Sequence, residues 1–331
     1  MKNKKIKMIL ILFIMLITLT GCTHILKDKD GKAVRNEATG GTVTENIICK
    51  PTDKNTIKIY KENKVDIEKL PDCNKMKITG KYENLWNSFF VRPLGFIIIK
   101  VGEFVKSNAV SIVIVTLIIR LLLYSNTRKT LLQSENMQKA QPEIQRIEKK
   151  YEGKNDSESM QKKGQEMMMV YKKYNIKPLS GCLFAFIQLP ILFAFYEAIQ
   201  RVPAIFEEKF LGLNMGTTPG TAISNGSWYY IIICVVLIII TYLSFKTNPS
   251  MKNKKSKDDN KDKNKDNKET TAGQLEMQQK MMGPMMTVFI GFMSFTLPTA
   301  IAFYWITSSL FTIFQNLTMK RGKKAWIQRH L

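Results

Sequence analysis

From Gly283 to Leu317 the sequence runs for 35 residues without one Asp, Glu, Lys or Arg. A membrane span needs about 20 apolar residues. This run is too long for one span, and Pro298 lies near its middle. Three further apolar blocks precede it: Val105 to Tyr124, interrupted by Lys106 and Arg120, then Leu179 to Ile199, then Trp228 to Phe245. Inside lipid a chain must satisfy its own backbone hydrogen bonds. Blocks of this length therefore predict an all-α integral membrane protein. The overall figure of 45% hydrophobic residues in 331 looks soluble only because it averages these blocks with very polar ones.

Charge fixes the direction of each crossing, because short cytoplasmic segments carry the Lys/Arg excess. Between the first and second blocks there are twelve Lys/Arg, from Arg128 to Lys177. Between the second and third there are two, Arg201 and Lys209; between the third and fourth, ten, from Lys246 to Lys280; after the fourth, five. Both flanks of the charge-free run are then inside, so it crosses an even number of times. Two helices joined at Leu297-Pro298-Thr299 satisfy this and bring the total to five transmembrane helices, N-terminus outside and C-terminus in the cytoplasm. The first arm, Gly283 to Leu297, is about 22 Å long at 1.5 Å per residue, against a hydrocarbon core of about 30 Å. It must thin the bilayer or hide its ends in protein.

The N-terminus reads as a processing signal over residues 1–21. Four lysines lie in Met1 to Lys7, an apolar run covers Met8 to Leu19, and Leu19-Thr20-Gly21-Cys22 follows. That tetrapeptide resembles a bacterial lipobox, which implies acylation of Cys22, with palmitate-type chains holding the mature N-terminus on the outer face of the cell membrane. The alternative is a plain signal or anchor helix with an incidental Cys. Residues 22–81 are polar, with nearly balanced charge and no strong period, and read as an extracytoplasmic tether or a small, weakly structured region. Cys49 and Cys73 within it either pair or remain free thiols. Over 82–104, Leu85, Trp86, Phe89, Phe90, Phe96, Ile97 and Val101 recur at helical spacing, with Glu83, Asn87, Arg92 and Lys100 as the polar side. This predicts an outer interfacial amphipathic helix kinked at Pro93.

The cytoplasmic segments differ from one another. Within 128–177, Met137, Ala140, Ile144, Ile147 and Tyr151 form one narrow seam, and Met160, Gly164, Met167, Tyr171 and Tyr174 a second. Two seams about a short polar connection predict a helical hairpin, with Pro142 kinking or restarting its first helix. The Lys/Asp/Asn-rich stretch 250–275 cannot bury a core and is expected to be a disordered loop. Residues 318–331 form a basic tail.

Arg120 is the sharpest candidate for function. A charge within a span costs on the order of 2.5–3.5 kcal/mol by insertion scales. It either snorkels to the cytoplasmic headgroups as an anchor or sits in a polar cavity open to the cytoplasm. Gln188, Thr307, Ser308, Ser309 and Gln315 are polar partners for such a cavity; Glu197 is expected at the outer interface. Met167, Met168 and Met169, with Met137, suit an adaptable apolar surface that recruits substrate, although ordinary packing also explains such residues. Lys320, Arg321, Lys323 and Lys324 suit contact with ribosomal RNA or anionic lipid. With two His in the chain and no Asp in the spans, no catalytic set or metal site emerges. The chain is expected not to be an enzyme and to need no cofactor. Five Cys in this length exclude a disulfide scaffold. The net charge of +23 reports membrane topology rather than binding to DNA.

The stretches Asn136-Met-Gln-Lys-Ala-Gln-Pro-Glu-Ile, Tyr174-Asn-Ile-Lys-Pro-Leu-Ser-Gly-Cys-Leu, Gln188-Leu-Pro-Ile-Leu-Phe-Ala-Phe-Tyr, Met281-Met-Gly-Pro-Met-Met and Phe295-Thr-Leu-Pro-Thr-Ala-Ile-Ala-Phe-Tyr-Trp resemble, in order and spacing, the YidC-type membrane protein insertases of the Oxa/Alb superfamily in their Gram-positive lipoprotein form. The similarity covers about Leu85 to Met319. Ile118-Ile119-Arg120-Leu121 resembles the segment that places the family's groove arginine. The resemblance implies a five-span core with a hydrophilic groove open to cytoplasm and lipid. It implies a chaperone that inserts and helps fold nascent membrane proteins, alone or with the Sec translocon. It also implies the ribosome, the signal-recognition pathway and membrane lipids as partners. Tyr124 departs from the Pro of many members, the 250–275 loop is longer than usual, and the resemblance implies no role for the segment that holds Cys49 and Cys73. A channel or small-solute transporter is the alternative from another class.

Overall fold

The computed structural model describes residues 24–80, 82–154, 156–176, 180–248 and 271–330, with side chains described except at 134, 180–187, 271–282 and 320–330. Residues 1–23, on which the expected signal peptide and Cys22 fall, and residues 249–270 lie outside these residues. The chain is predominantly helical and divides into two compact units, one of residues 24–121, 186–239 and 290–309, the other of residues 122–185, 240–289 and 310–330.

In the first unit residues 24–80 are folded around a small core, instead of the expected tether or small, weakly structured region. Short antiparallel bridges join Ile25 to Thr44, Lys27 to Ala33 and Arg35 to Thr42. Helix α1, Lys54–Glu62, starts at Asp53, whose carboxylate accepts from the Thr56 amide at 2.9 Å. That contact satisfies one of the helix's open N–H groups. Ile47, Tyr60 and Ile67 form a small core, and Cys49 and Cys73 form a disulfide. Sequence periodicity missed this because the segment completes its core with groups far away in the chain. Ile48, Cys49 and Met76 are buried together with Ala198, Ile199 and Val202, and the Ile48 amide donates to the Arg201 carbonyl at 2.9 Å.

The expected amphipathic helix exists but is built differently. A π-helical turn, Asn87–Val91, leads into α2, Arg92–Val105. Pro93 stands in the first turn of α2, where its missing N–H leaves nothing unpaired. The break comes instead at Lys106, whose φ of 59° is left-handed. The segments Asn87–Val105 and Asn108–Leu122 are bent by 120° across it. Trp86, Val91, Leu94, Ile98 and Ile99 are buried, while Phe89, Phe90, Ile97 and Phe104 are exposed. Asn87, expected on a polar face, is buried and donates to the Glu83 carboxylate.

Helix α3, Asn108–Leu122, opens on Glu208, whose carboxylate accepts from the Asn108 amide at 2.7 Å and the Ser107 hydroxyl at 2.6 Å. Helix α4 is Tyr124–Lys150, α5 is Ser157–Lys173 and α6 is Ser180–Arg201. A short helix α7, Pro203–Phe206, the two-residue strands β1, Lys209–Phe210, and β2, Leu213–Asn214, and helix α8, Pro219–Ser224, lead to α9, Tyr230–Thr247. Among the described residues, α9 is the one helix long and apolar enough by itself to cross a membrane. The charge-free run is two helices, α10, Thr271–Thr296, and α11, Thr299–His330, with the break at Leu297-Pro298. The open N–H groups at the start of α11 are met by loop carbonyls: Thr299 donates to Thr217 at 3.0 Å and Ala300 to Met215 at 2.9 Å. Helix α10 also includes residues 271–275, so the expected disordered loop does not reach that far.

In the second unit α4 and α5 form a helical hairpin around Ala140, Ile144, Val170 and Ile176, flanked by Met137, Ile147, Met167, Tyr171 and Tyr174. Helix α4 runs through Pro142 without restarting. Met160 is exposed rather than in the seam, and Val170 fills the core instead. Asp156 caps α5 through the Ser159 amide at 2.8 Å. Lys173 and the Tyr174 hydroxyl both donate to Glu143, at 2.6 and 2.7 Å, and hold its carboxyl below the usual range.

Candidate functional site

Three of the residues singled out in the sequence meet in the first unit. Arg120, near the end of α3, is 7% exposed. Its Nη2 donates to Gln188 Oε1 at 2.8 Å and to the Ser308 hydroxyl. Gln188 Nε2 donates in turn to the Tyr304 hydroxyl at 2.7 Å. Tyr304 is 1% exposed and packs on Phe195 with ring centroids 4.4 Å apart. The cluster thus draws on α3, α6 and α11, and its two α11 members, Tyr304 and Ser308, are one turn apart on the same face. Tyr304 was missed in the sequence, although its spacing from Ser308 was the available signal.

The hydrogen-bond partners of Arg120 are all neutral, and the one carboxylate on α6, Glu197, lies nine residues beyond Gln188 and accepts from Trp86 instead. Arg201, the other buried arginine of this unit, is treated differently. Its Nη2 donates to Glu83 at 2.7 Å and its Nε to the Asn46 carbonyl at 2.8 Å. A buried cation paired with a partly exposed carboxylate and a backbone carbonyl is a structural joint. A buried cation held only by an amide and a hydroxyl keeps its attraction for an anion. Of the guanidinium's donors, Nη2 is used inside the protein, on Gln188 and Ser308.

The remaining candidates are placed elsewhere. Thr307 donates to the Phe303 carbonyl of its own helix at 2.8 Å, the common use of a threonine inside a helix. Ser309 is buried. Gln315 lies in the second unit, where its Nε2 donates to the Thr127 hydroxyl at 2.8 Å. Glu197, expected at the outer interface, is buried and accepts from Trp86 Nε1 at 3.1 Å. Met137 and Met167 are packed into the hairpin seam, whereas Met168 and Met169 are exposed. Lys320, Arg321, Lys323 and Lys324 lie on the last helix with side chains outside the described residues, and Cys22 lies outside them altogether.

The model of the 60 kDa inner membrane protein family matches residues 100–325. The chain is 34% identical over 259 residues to the membrane protein insertase YidC of Oceanobacillus iheyensis, covering 77% of this chain and 92% of that one. It is 32% identical over 254 residues to the membrane protein insertase MisCA of Bacillus subtilis, covering 76% and 86%. An active YidC insertase crystal structure with its first transmembrane domain resolved aligns at 22% identity and a TM-score of 0.47, over 80% of this chain and 50% of that one. By the extent of the family match and the identity to these relatives, the chain belongs to the 60 kDa inner membrane protein family, that of the YidC-type membrane protein insertases.

Proposed function

We propose that this protein inserts nascent membrane proteins into the cell membrane and helps them fold, using the Arg120 cluster as the floor of a hydrophilic groove open to cytoplasm and lipid. The observation that carries the reading is the buried guanidinium with neutral partners only. A substrate's acidic, extracytoplasmic segment is drawn to Arg120 while its apolar helix passes sideways into lipid. Gln188, Tyr304 and Ser308 hold the guanidinium in place and offer amide and hydroxyl partners to the passing polar backbone, lowering its desolvation cost. No bond is made or broken, so the chain acts as a carrier and not as an enzyme. Transfer of apolar residues into lipid and the membrane potential supply the drive.

The topology in this reading is five spans: α3, α6, α9, the apolar part of α10, and α11. The N-terminus is outside, acylated at Cys22, and the hairpin and basic tail are in the cytoplasm. Two independent features support it. The Lys/Arg excess falls on alternate connections, and the Cys49–Cys73 disulfide suits an oxidising, extracytoplasmic compartment. The exposed Met168 and Met169 offer the first adaptable contact for an arriving chain. The ribosome, the signal-recognition pathway and the Sec translocon are the partners that deliver it.

The test is complementation in a strain depleted of its own insertases. Arg120→Ala is expected to impair insertion and growth, and Arg120→Lys to restore most of both because the charge remains. Normal insertion by Arg120→Ala would return Arg120 to a topology anchor.

A further inference from the structure

The first unit holds an open pocket of about 490 Å³, its mouth included, between the folded outer segment and the outer ends of two helices of the core. Thr39, Thr42 and Thr56 line it from the outer segment, and Ile199, Gln200 and Pro298 from the core. Its enclosed part is only about 50 Å³, room for a few waters or one small side chain of a segment lying across the mouth. Its chemistry departs from its surroundings. Residues 24–80 contain 21 charged side chains among 57, yet no lining residue is charged. A charged ligand would meet no counter-ion there and lose its hydration. An uncharged ligand meets hydroxyls and amides above apolar contacts.

The position says more. Gln200 stands on α6 twelve residues beyond Gln188, and Pro298 stands ten residues before Ser308. At 1.5 Å per residue, helix geometry separates the pocket from the Arg120 cluster by about 15–18 Å along both elements. Two of the three helices that carry the polar cluster, α6 and α11, therefore end at the pocket.

We propose that this pocket is an exit-side receiving site for uncharged polypeptide, holding the neutral polar part of a substrate segment after it has passed the Arg120 cluster. This rests on the insertase reading above. The site accepts backbone amides and small polar side chains and rejects acidic or basic ones. Its selectivity is thus opposite to that of Arg120, so a segment attracted inside is held outside only where it is neutral.

The experiment uses the full chain in membrane vesicles with a benzoylphenylalanine probe at Gln188 or at Gln200, and stalled substrates whose outer tail is either neutral or acidic. The Gln200 probe is expected to capture the neutral tail, only in intermediates longer than those captured from Gln188, and to capture the acidic tail several-fold less. Thr42→Arg should cut the Gln200 capture several-fold, while Thr42→Val, which keeps the shape, should leave it within twofold. The proposal is overturned if Gln188 captures the tail and Gln200 never does, if both tails are captured equally from Gln200, or if Thr42→Arg has no effect while the chain stays folded to protease. Absence of capture from Gln188 would overturn the groove reading and this site with it.

Discussion

Arg120 and Arg201 show how partners decide what a buried charge is for. Both are nearly inaccessible, but only Arg201 has a carboxylate, from Glu83. Removing that partner leaves Arg201 buried and unpaired. Because Glu83 is itself partly exposed, Glu83→Ala is expected to cost up to about 3 kcal/mol, the low end for a broken buried pair, read as a lower melting temperature in detergent. Tyr304→Phe removes only the hydroxyl that accepts from Gln188. The expected loss is about 1 kcal/mol, near the usual worth of one hydrogen bond. The matching functional effect is a partial slowing of insertion, far milder than that of Arg120→Ala. Arg120 could be singled out in the sequence because a charge in an apolar run is conspicuous. Tyr304 left only the weaker signal of its one-turn spacing from Ser308, because an aromatic residue in such a run looks like packing until its hydroxyl is seen to meet Gln188.

At the scale of elements, the hairpin was readable because its seam is local. Met137, Ala140, Ile144 and Ile147 follow helical spacing within one helix, and the structure buries them in that order against α5. Ile144 is 1% exposed, so Ile144→Ala is expected to cost the hairpin about 2–5 kcal/mol through the cavity it opens. Limited proteolysis should find α4 and α5 cut more readily, with the first unit unchanged. The outer segment was not readable, for the opposite reason. Its apolar residues are few and its core depends on a disulfide and on Ile48 and Met76 docking against α6. The break at Lys106 was likewise hidden. The sequence offered Pro93 as the obvious breaker, whereas the chain places that proline in a first turn, where it is tolerated.

Residues 24–80 are stitched to the helices of the first unit. The stitches include Thr52 on Glu207, Arg201 on the Asn46 carbonyl and the Thr218 amide on the Thr39 carbonyl. The disulfide closes a loop of sequence separation 24, for which chain-entropy arguments give about 3 kcal/mol. Cys49→Ser is therefore expected to leave this segment susceptible to trypsin added outside intact, wall-stripped cells, while the wild type resists. Cleavage of this segment only after the cells are broken would reverse the assigned topology. The alternation of basic connections was the most legible global feature, since it needs only a count of Lys and Arg between apolar blocks.

In the proposed mechanism inserting proteins travel past Arg120, Gln188 and Ser308 rather than along the lipid-facing surface. A photoreactive residue at Gln188, compared with one at the exposed Ile232 of α9, tests this on stalled ribosome–nascent chains in membranes. Capture of the hydrophilic segment from Gln188, weak capture from Ile232, and loss of the Gln188 signal on Arg120→Ala are expected. Equal capture from both positions, or a Gln188 signal indifferent to Arg120→Ala, would show that the buried cluster is not the path.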